Sequence, residues 1–328
     1  GAPRPARESV VLSDISILGS FTDKSHTRIN IEVQQLGLRL KTPEKTVVLK
    51  GVDGKLNSGC VTAVMGPSGC GKTSFLNALS GRALYGSTTG RVLINGEENT
   101  VASVARLVGF VPQEDTMLRE LTVRETLECY ARLRLPRSFN SKRIERVVQD
   151  VIEALQLEHV SDSVIGDEMK RGISGGQRKR VNVGMEMVAD PSLLFLDEPT
   201  SGLDSTTSFD LVFGLCGLAQ KGSNIVAVLH QPSFALYQMF SNVLLLGKGG
   251  KTVFYGKSEH ALSYLTYVGY AMPPFLNPAD FFMDVIAGKY ERSIDQRSAR
   301  EALGSTDEPT PHGSALSPVH GQRQRRGG

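Results

Sequence analysis

Apolar residues fall along this chain in two alternating kinds of run. Short, nearly unbroken apolar stretches predict buried strands at Val61–Met65, Ser192–Leu196, Asn224–Leu229 and Val243–Leu246. Arg91–Ile94 reads as a strand that ends in the turn Asn95-Gly96. Helical spacing of apolar positions marks Lys72–Leu79, Val123–Leu135, Arg143–Leu157, Lys179–Ala189 and Thr206–Ala219, with Pro136 closing the second. Strand-helix alternation on this scale predicts an α/β fold with a largely parallel sheet. The stretch from 113 to 190 is rich in helix and reads as a helical subdomain.

The pattern fades at both ends. Residues 1–28 are polar and mixed, and read as a flexible lead-in. Residues 291–328 are rich in Ser, Thr, Pro, Gly and Arg, and read as a disordered tail or linker. The cluster Arg323, Arg325, Arg326 is short and follows acidic residues, so it reads as solvated. One ordered domain is therefore expected over 29–290. Nothing in the chain approaches the roughly 20 apolar residues of a spanning helix. The start, Gly1-Ala-Pro-Arg, lacks an initiator Met and an apolar signal core, so the chain reads as a soluble piece of something longer.

Composition narrows the classes further. The 328 residues are 40% hydrophobic and 22% charged, enough for a sizeable core. The net charge is 37 − 34, or +3, which gives no support to a nucleic-acid binder working by bulk charge. The four cysteines, Cys60, Cys70, Cys129 and Cys216, form no C-x-x-C pair, against a zinc ribbon or a secreted disulfide scaffold.

Three motifs carry chemistry. Gly66-Pro67-Ser68-Gly69-Cys70-Gly71-Lys72-Thr73 matches G-x-x-x-x-G-K-[ST] between a predicted strand and a predicted helix, the context this motif requires. Glycines let the backbone curl so that N–H groups face phosphate oxygens at a helix N-terminus. Lys72 would neutralise the β- and γ-phosphates, and the Thr73 hydroxyl would ligate Mg2+. The strand Leu193–Leu196 runs into Asp197-Glu198, one carboxylate to hold Mg2+ and one to polarise a water as general base. Arg171-Gly-Ile-Ser174-Gly175-Gly176-Gln177-Arg178 precedes a helical pattern and offers a second nest of backbone N–H groups. It also matches the G-x-S-x-G elbow of hydrolases, but the segment before it is too polar for the strand an elbow needs. A plain helix cap is the alternative reading.

In this order and spacing the motifs resemble the nucleotide-binding domain of ATP-binding-cassette (ABC) proteins. The phosphate loop, Gln113, the Ser-Gly-Gly-Gln signature, Asp197-Glu198, Ser201-Gly-Leu-Asp204 and His230 follow one another. Ser174 lies 23 residues before Asp197, and Asp197 lies 33 before His230. Arg171–Arg180, Glu186, Val228-Leu-His-Gln-Pro-Ser233 and Asn277-Pro-Ala-Asp280-Phe resemble the G subfamily, the White-like half-transporters.

The resemblance implies a P-loop (RecA-like) core with a mainly parallel sheet, an antiparallel β portion and a helical subdomain carrying the signature. It implies an ATPase that powers transmembrane transport, in the direction of export, with ATP and Mg2+. Gly66 through Thr73 and Ser74 would hold the phosphates, and Thr73, Gln113 and Asp197 the metal. Glu198, His230, Gln113 and Lys72 would be catalytic. Two cassettes would pair head to tail, so that Ser174, Gly175, Gly176, Gln177 and Asp204 serve the nucleotide of a partner chain. A transmembrane domain outside this chain is implied, with the cassette on the cytosolic face. In many such domains an upstream aromatic stacks on adenine; Ile29–Lys50 has none, and Leu38 or Leu40 would take its place. A soluble cassette ATPase of translation or DNA maintenance would carry two cassettes or a long coiled-coil insert. Here there is one cassette without heptads. A non-hydrolysing ATP-gated regulator fits poorly with Glu198 and His230 both present.

Overall fold

The computed structural model describes residues 27–167 and 172–291. The readings made for residues 1–26 and 292–328, including Arg323, Arg325 and Arg326, and for Arg171 lie outside the described residues. In chain order the strands are β1 (Ile31–Leu40), β2 (Val47–Leu56), β3 (Val61–Met65), β4 (Gly86–Ile94), β5 (Glu97–Glu98), β6 (Val108–Val111), β7 (Leu193–Asp197), β8 (Asn224–Val228), β9 (Asn242–Gly247) and β10 (Lys251–Lys257). The helices are α1 (Lys72–Leu79), α2 (Val123–Arg134), α3 (Ser141–Ala154), α4 (Gly175–Met187), α5 (Ser205–Gln220), α6 (Phe234–Tyr237), α7 (Ala261–Tyr267) and α8 (Pro278–Ala287). The chain divides into two compact units and passes between them several times, for the last time within β8.

The first unit holds Ser58–Cys60 and Ala105–Ile225. Its β6 and β7 pair in parallel, Val108 opposite Leu193 through Val111 opposite Leu196. Every position of β7 is buried, Asp197 included, which is why the strand reads as an unbroken apolar run. Thr122 and Glu125 close a reciprocal capping box at the start of α2. Asn140 caps α3, which buries Ile144, Val147, Val148, Val151 and Ile152 along one stripe. Three side chains crowd Gly184 of α4: a Cβ there would lie 3.0 Å from Leu155, 3.1 Å from Leu127 and 3.4 Å from Val151. Gly184 therefore sets how closely α4 packs on its neighbours.

The second unit holds Asn30–Asn57, Val61–Val104 and the chain from Val226. Its strands run in the order β5-β4-β1-β2-β10-β9-β3. The pairs β1–β2, β1–β4, β4–β5 and β9–β10 are antiparallel, while β3–β9 is parallel. A second parallel contact, Lys251 opposite Gly51, joins β10 to β2, so the antiparallel first strands meet the antiparallel hairpin β9–β10 edge to edge within this unit. The turn Asn95-Gly96 has φ of 53° and 89°, as the hairpin between β4 and β5 requires.

Some boundaries differ from the expectation. The helix after the signature starts at Gly175, not Lys179, because Ser174 already caps it. The helix expected to Leu157 ends at Ala154. Strand β4 begins five residues before Arg91, over exposed residues with no hydrophobic pattern. No described helix is long and apolar enough to cross a membrane.

Candidate nucleotide site

The second unit carries the glycine loop. Buried β3 delivers the chain at Gly66, where a Cβ would lie 2.4 Å from the Leu246 carbonyl oxygen and 2.6 Å from Cys70 Sγ. Only glycine lets the loop leave the sheet there. Gly71, at φ 101°, precedes α1, and no side chain caps this helix. An uncapped helix start directs backbone N–H groups outward with no side-chain acceptor, a cradle suited to an anion. The Lys72 ammonium folds back over the loop, donating to the Gly66 carbonyl at 2.8 Å and the Pro67 carbonyl at 3.3 Å. Ser68, Gly69 and Thr73 are exposed, Pro67 and Ser74 half-buried, and Cys70 buried. Burial pushes the Cys70 thiol up, with Lys72 opposing it, so the sulfur stays a thiol.

His230 meets this loop: its Nε2 lies 3.3 Å from Ser68 Oγ. The residues after it are tethered. Asn277 Nδ2 donates to the Pro232 carbonyl at 2.9 Å, while Asn277 Oδ1 accepts from Ala279 N and caps α8. Leu38, a candidate base contact, is 1% exposed and belongs to the core, so it has no face to offer a base; Leu40 is half-buried.

The first unit carries the carboxylates. Asp197 closes β7 and is 3% exposed. Glu198 follows with φ 50°, a left-handed conformation rare for a non-glycine residue. Gln113 Nε2 donates to Glu198 Oε2 at 3.2 Å. Sequence reasoning missed the group beneath them. Lys179 of α4 is 5% exposed, and its Nζ donates to the Gln113 carbonyl at 2.6 Å and the Pro112 carbonyl at 3.4 Å. Burial pulls its pKa down, and Asp115, Asp197 and Glu198 pull it back up.

Farther along α4, Asn182 donates to the Pro112 carbonyl. Glu186 accepts from Phe110 N at 3.3 Å and from Arg134 Nη1 at 3.0 Å. Lys179, Asn182 and Glu186 stand at i, i+3 and i+7, one polar stripe along α4.

Ser174 is a helix cap. Its hydroxyl accepts from Gln177 N at 3.2 Å, and Gln177 Oε1 accepts from Ser174 N at 2.8 Å. Gly175 and Gly176 form the first turn of α4, and the described residues directly before Ser174 are not strand, so no nucleophile elbow is built here. The basic residues Arg178–Arg180 turn inward instead of forming a charged surface. Arg178 donates to the Ile173 carbonyl, and Arg180 to the Leu155 and Gln156 carbonyls. Asp204 caps α5, and bonds from the Thr207 hydroxyl, then from backbone N–H groups, hold its carboxyl below the usual range.

Among the described residues no three His, Cys, Asp or Glu side chains form a metal cage. Mg2+ does not need one, since it binds through phosphates, waters and one or two protein oxygens. The donor set fits that habit.

A sequence model of the ABC transporter family matches residues 49–201, and one of the ABC-2 type transporter matches residues 230–305. ABC transporter G family member 28 of Arabidopsis thaliana is 45% identical over 274 residues, 84% of this chain and 25% of that protein. The broad substrate specificity ATP-binding cassette transporter ABCG2 of Rattus norvegicus is 38% identical over 293 residues, 89% of this chain and 44% of that protein. The chain thus spans a quarter to under half of the length of these relatives. A solved ATP-binding cassette, in a dimeric post-hydrolysis state bound to ADP and Pi, superposes with a TM-score of 0.59 at 22% identity, covering 70% of this chain and 98% of that one. At that identity the likeness establishes the fold. A P-loop cassette fold, the two family matches and the G-family relatives agree. This chain belongs to the ABC transporters, as a nucleotide-binding cassette of the White-like G group.

Proposed function

We propose that this chain binds ATP with Mg2+ and hydrolyses it as one of a head-to-tail pair of cassettes. The cycle drives transport across a membrane, in the direction of export, through membrane-spanning parts outside the described residues. The cassette stands on the cytosolic face. The observation that carries the reading is the uncapped start of α1, with the Lys72 ammonium held on the Gly66 carbonyl beside it.

Each residue then has a task. Lys72 exchanges its loop carbonyls for phosphate oxygens, and the N–H groups from Gly66 to Ser74 surround them. Mg2+, when bound, supplies charge neutralisation on the phosphates. The Thr73 hydroxyl and Asp197, with the Gln113 amide, are the protein oxygens offered to it. Glu198 takes the proton of the attacking water, and Gln113, already on its carboxylate, aligns that water. His230 donates to the terminal phosphate. Ser174, Gly175, Gly176 and Gln177 close on the nucleotide of the partner, and Asp204 supports that opposite site. Phosphoryl transfer asks for this kind of positioning and charge rather than covalent chemistry.

Replacing Lys72 with Ala tests the reading. Wild-type chain is expected to bind a fluorescent ATP analogue and release phosphate, with the variant binding at least about tenfold more weakly, a loss of about 1.4 kcal/mol. Equal binding by both proteins would remove the phosphate loop from the site.

A further inference from the structure

We propose that Lys179 is a positioning residue that fixes the Gln113 segment, and through it the Glu198 carboxylate, to the helix that begins at the signature Ser174. The route is two hydrogen bonds long. Lys179 Nζ donates to the Gln113 carbonyl at 2.6 Å, and Gln113 Nε2 donates to Glu198 Oε2 at 3.2 Å. Asn182, one turn farther along α4, donates to the Pro112 carbonyl and steadies the same segment.

The partners in contact with the ammonium are neutral carbonyls, so its charge is not spent on one close carboxylate. It acts instead on Asp115, Asp197 and Glu198 together. A cation nearly out of water is costly unless its hydrogen bonds are met. A methionine of similar length would pack as well, without fixing the Gln113 carbonyl. The buried ammonium is therefore there for what it holds.

A consequence follows for the paired arrangement, and it rests on the function proposed above. Helix α4 starts at the residues that serve the partner's nucleotide, and Lys179 ties the same helix to the residues that serve this chain's own. Any displacement of α4 on closure is passed to the Gln113 carbonyl. Lys179 thereby makes hydrolysis at one site depend on engagement of the other.

The test compares Lys179→Met and Lys179→Arg in the 328-residue chain. In the nucleotide-free protein, amide exchange over 111–115 is expected to rise severalfold in Lys179→Met, with β7 unchanged and Lys179→Arg close to wild type. With ATP, kcat is expected to fall about tenfold in Lys179→Met while KM stays within about twofold. The double variant with Gln113→Ala should be no slower than Gln113→Ala alone. Unchanged exchange over 111–115, or losses that add in the double variant, would overturn the proposal. If wild type releases no phosphate, the ATPase reading fails and the exchange measurement still decides the role of Lys179. If Lys179→Met does not fold, Lys179→Gln replaces it under the same criteria.

Discussion

Glu198 shows how a residue can be held in one conformation at a local cost. Its left-handed backbone costs on the order of 1–3 kcal/mol for a non-glycine residue. The Gln113 amide meets its carboxylate in that conformation. Ser174 poses the opposite question, because its hydroxyl is already used in a cap. Ser174→Asp keeps a capping acceptor, so the melting temperature should hold within a degree or two. If Ser174 also faces the partner's phosphates, the added charge should cut ATP turnover about tenfold or more; unchanged turnover would leave Ser174 a cap and nothing else.

Asp204 gives a pH prediction with a definite sign. Its folded pKa lies below its unfolded value, chiefly through the Thr207 hydroxyl. Its stabilisation is complete above the ordinary carboxylate range near about 4, and is lost as pH falls through the depressed value. Thermal melts below about pH 5 should therefore show a shallower decline for Asp204→Asn than for wild type.

At the scale of elements, packing of α4 depends on Gly184. Gly184→Val should cost about 1–3 kcal/mol in urea unfolding, since Leu155, Leu127 and Val151 already crowd that position. Asn277 is the corresponding device at the end of the second unit. Asn277→Ala removes the cap of α8 and the bond to the Pro232 carbonyl, and should lower stability by about 1 kcal/mol or more. The same scale shows what the sequence could reveal. Strands β3, β7, β8 and β9 are buried at nearly every position, so an apolar run announces each. Strand β1 breaks its alternation with register shifts around Gln35, which stands at φ 51°, and β4 is largely exposed, so periodicity passes over one and truncates the other. Lys179 escaped notice because a lysine in a basic run reads as solvated. Its burial comes from tertiary packing, which no local pattern records.

The whole molecule is described as two units, the glycine loop and His230 in one and the carboxylates and signature in the other. Motif order and spacing made the family legible, because each motif is a local piece of backbone geometry. How the side chains meet was not legible: Ser68 with His230, Gln113 with Glu198 and the polar stripe of α4 join positions far apart in sequence. The matches over 49–201 and 230–305 place a cassette and an ABC-2 type region in one chain. On the function proposed here, ATP is expected to close a pair of these cassettes, and Glu198 to permit the hydrolysis that opens it. Sedimentation of Glu198→Gln with ATP and Mg2+, alongside phosphate release, tests this most directly. The expected result is a dimer that persists with ATP and phosphate release reduced at least about a hundredfold. A monomer under ATP, or turnover equal to wild type, would contradict it.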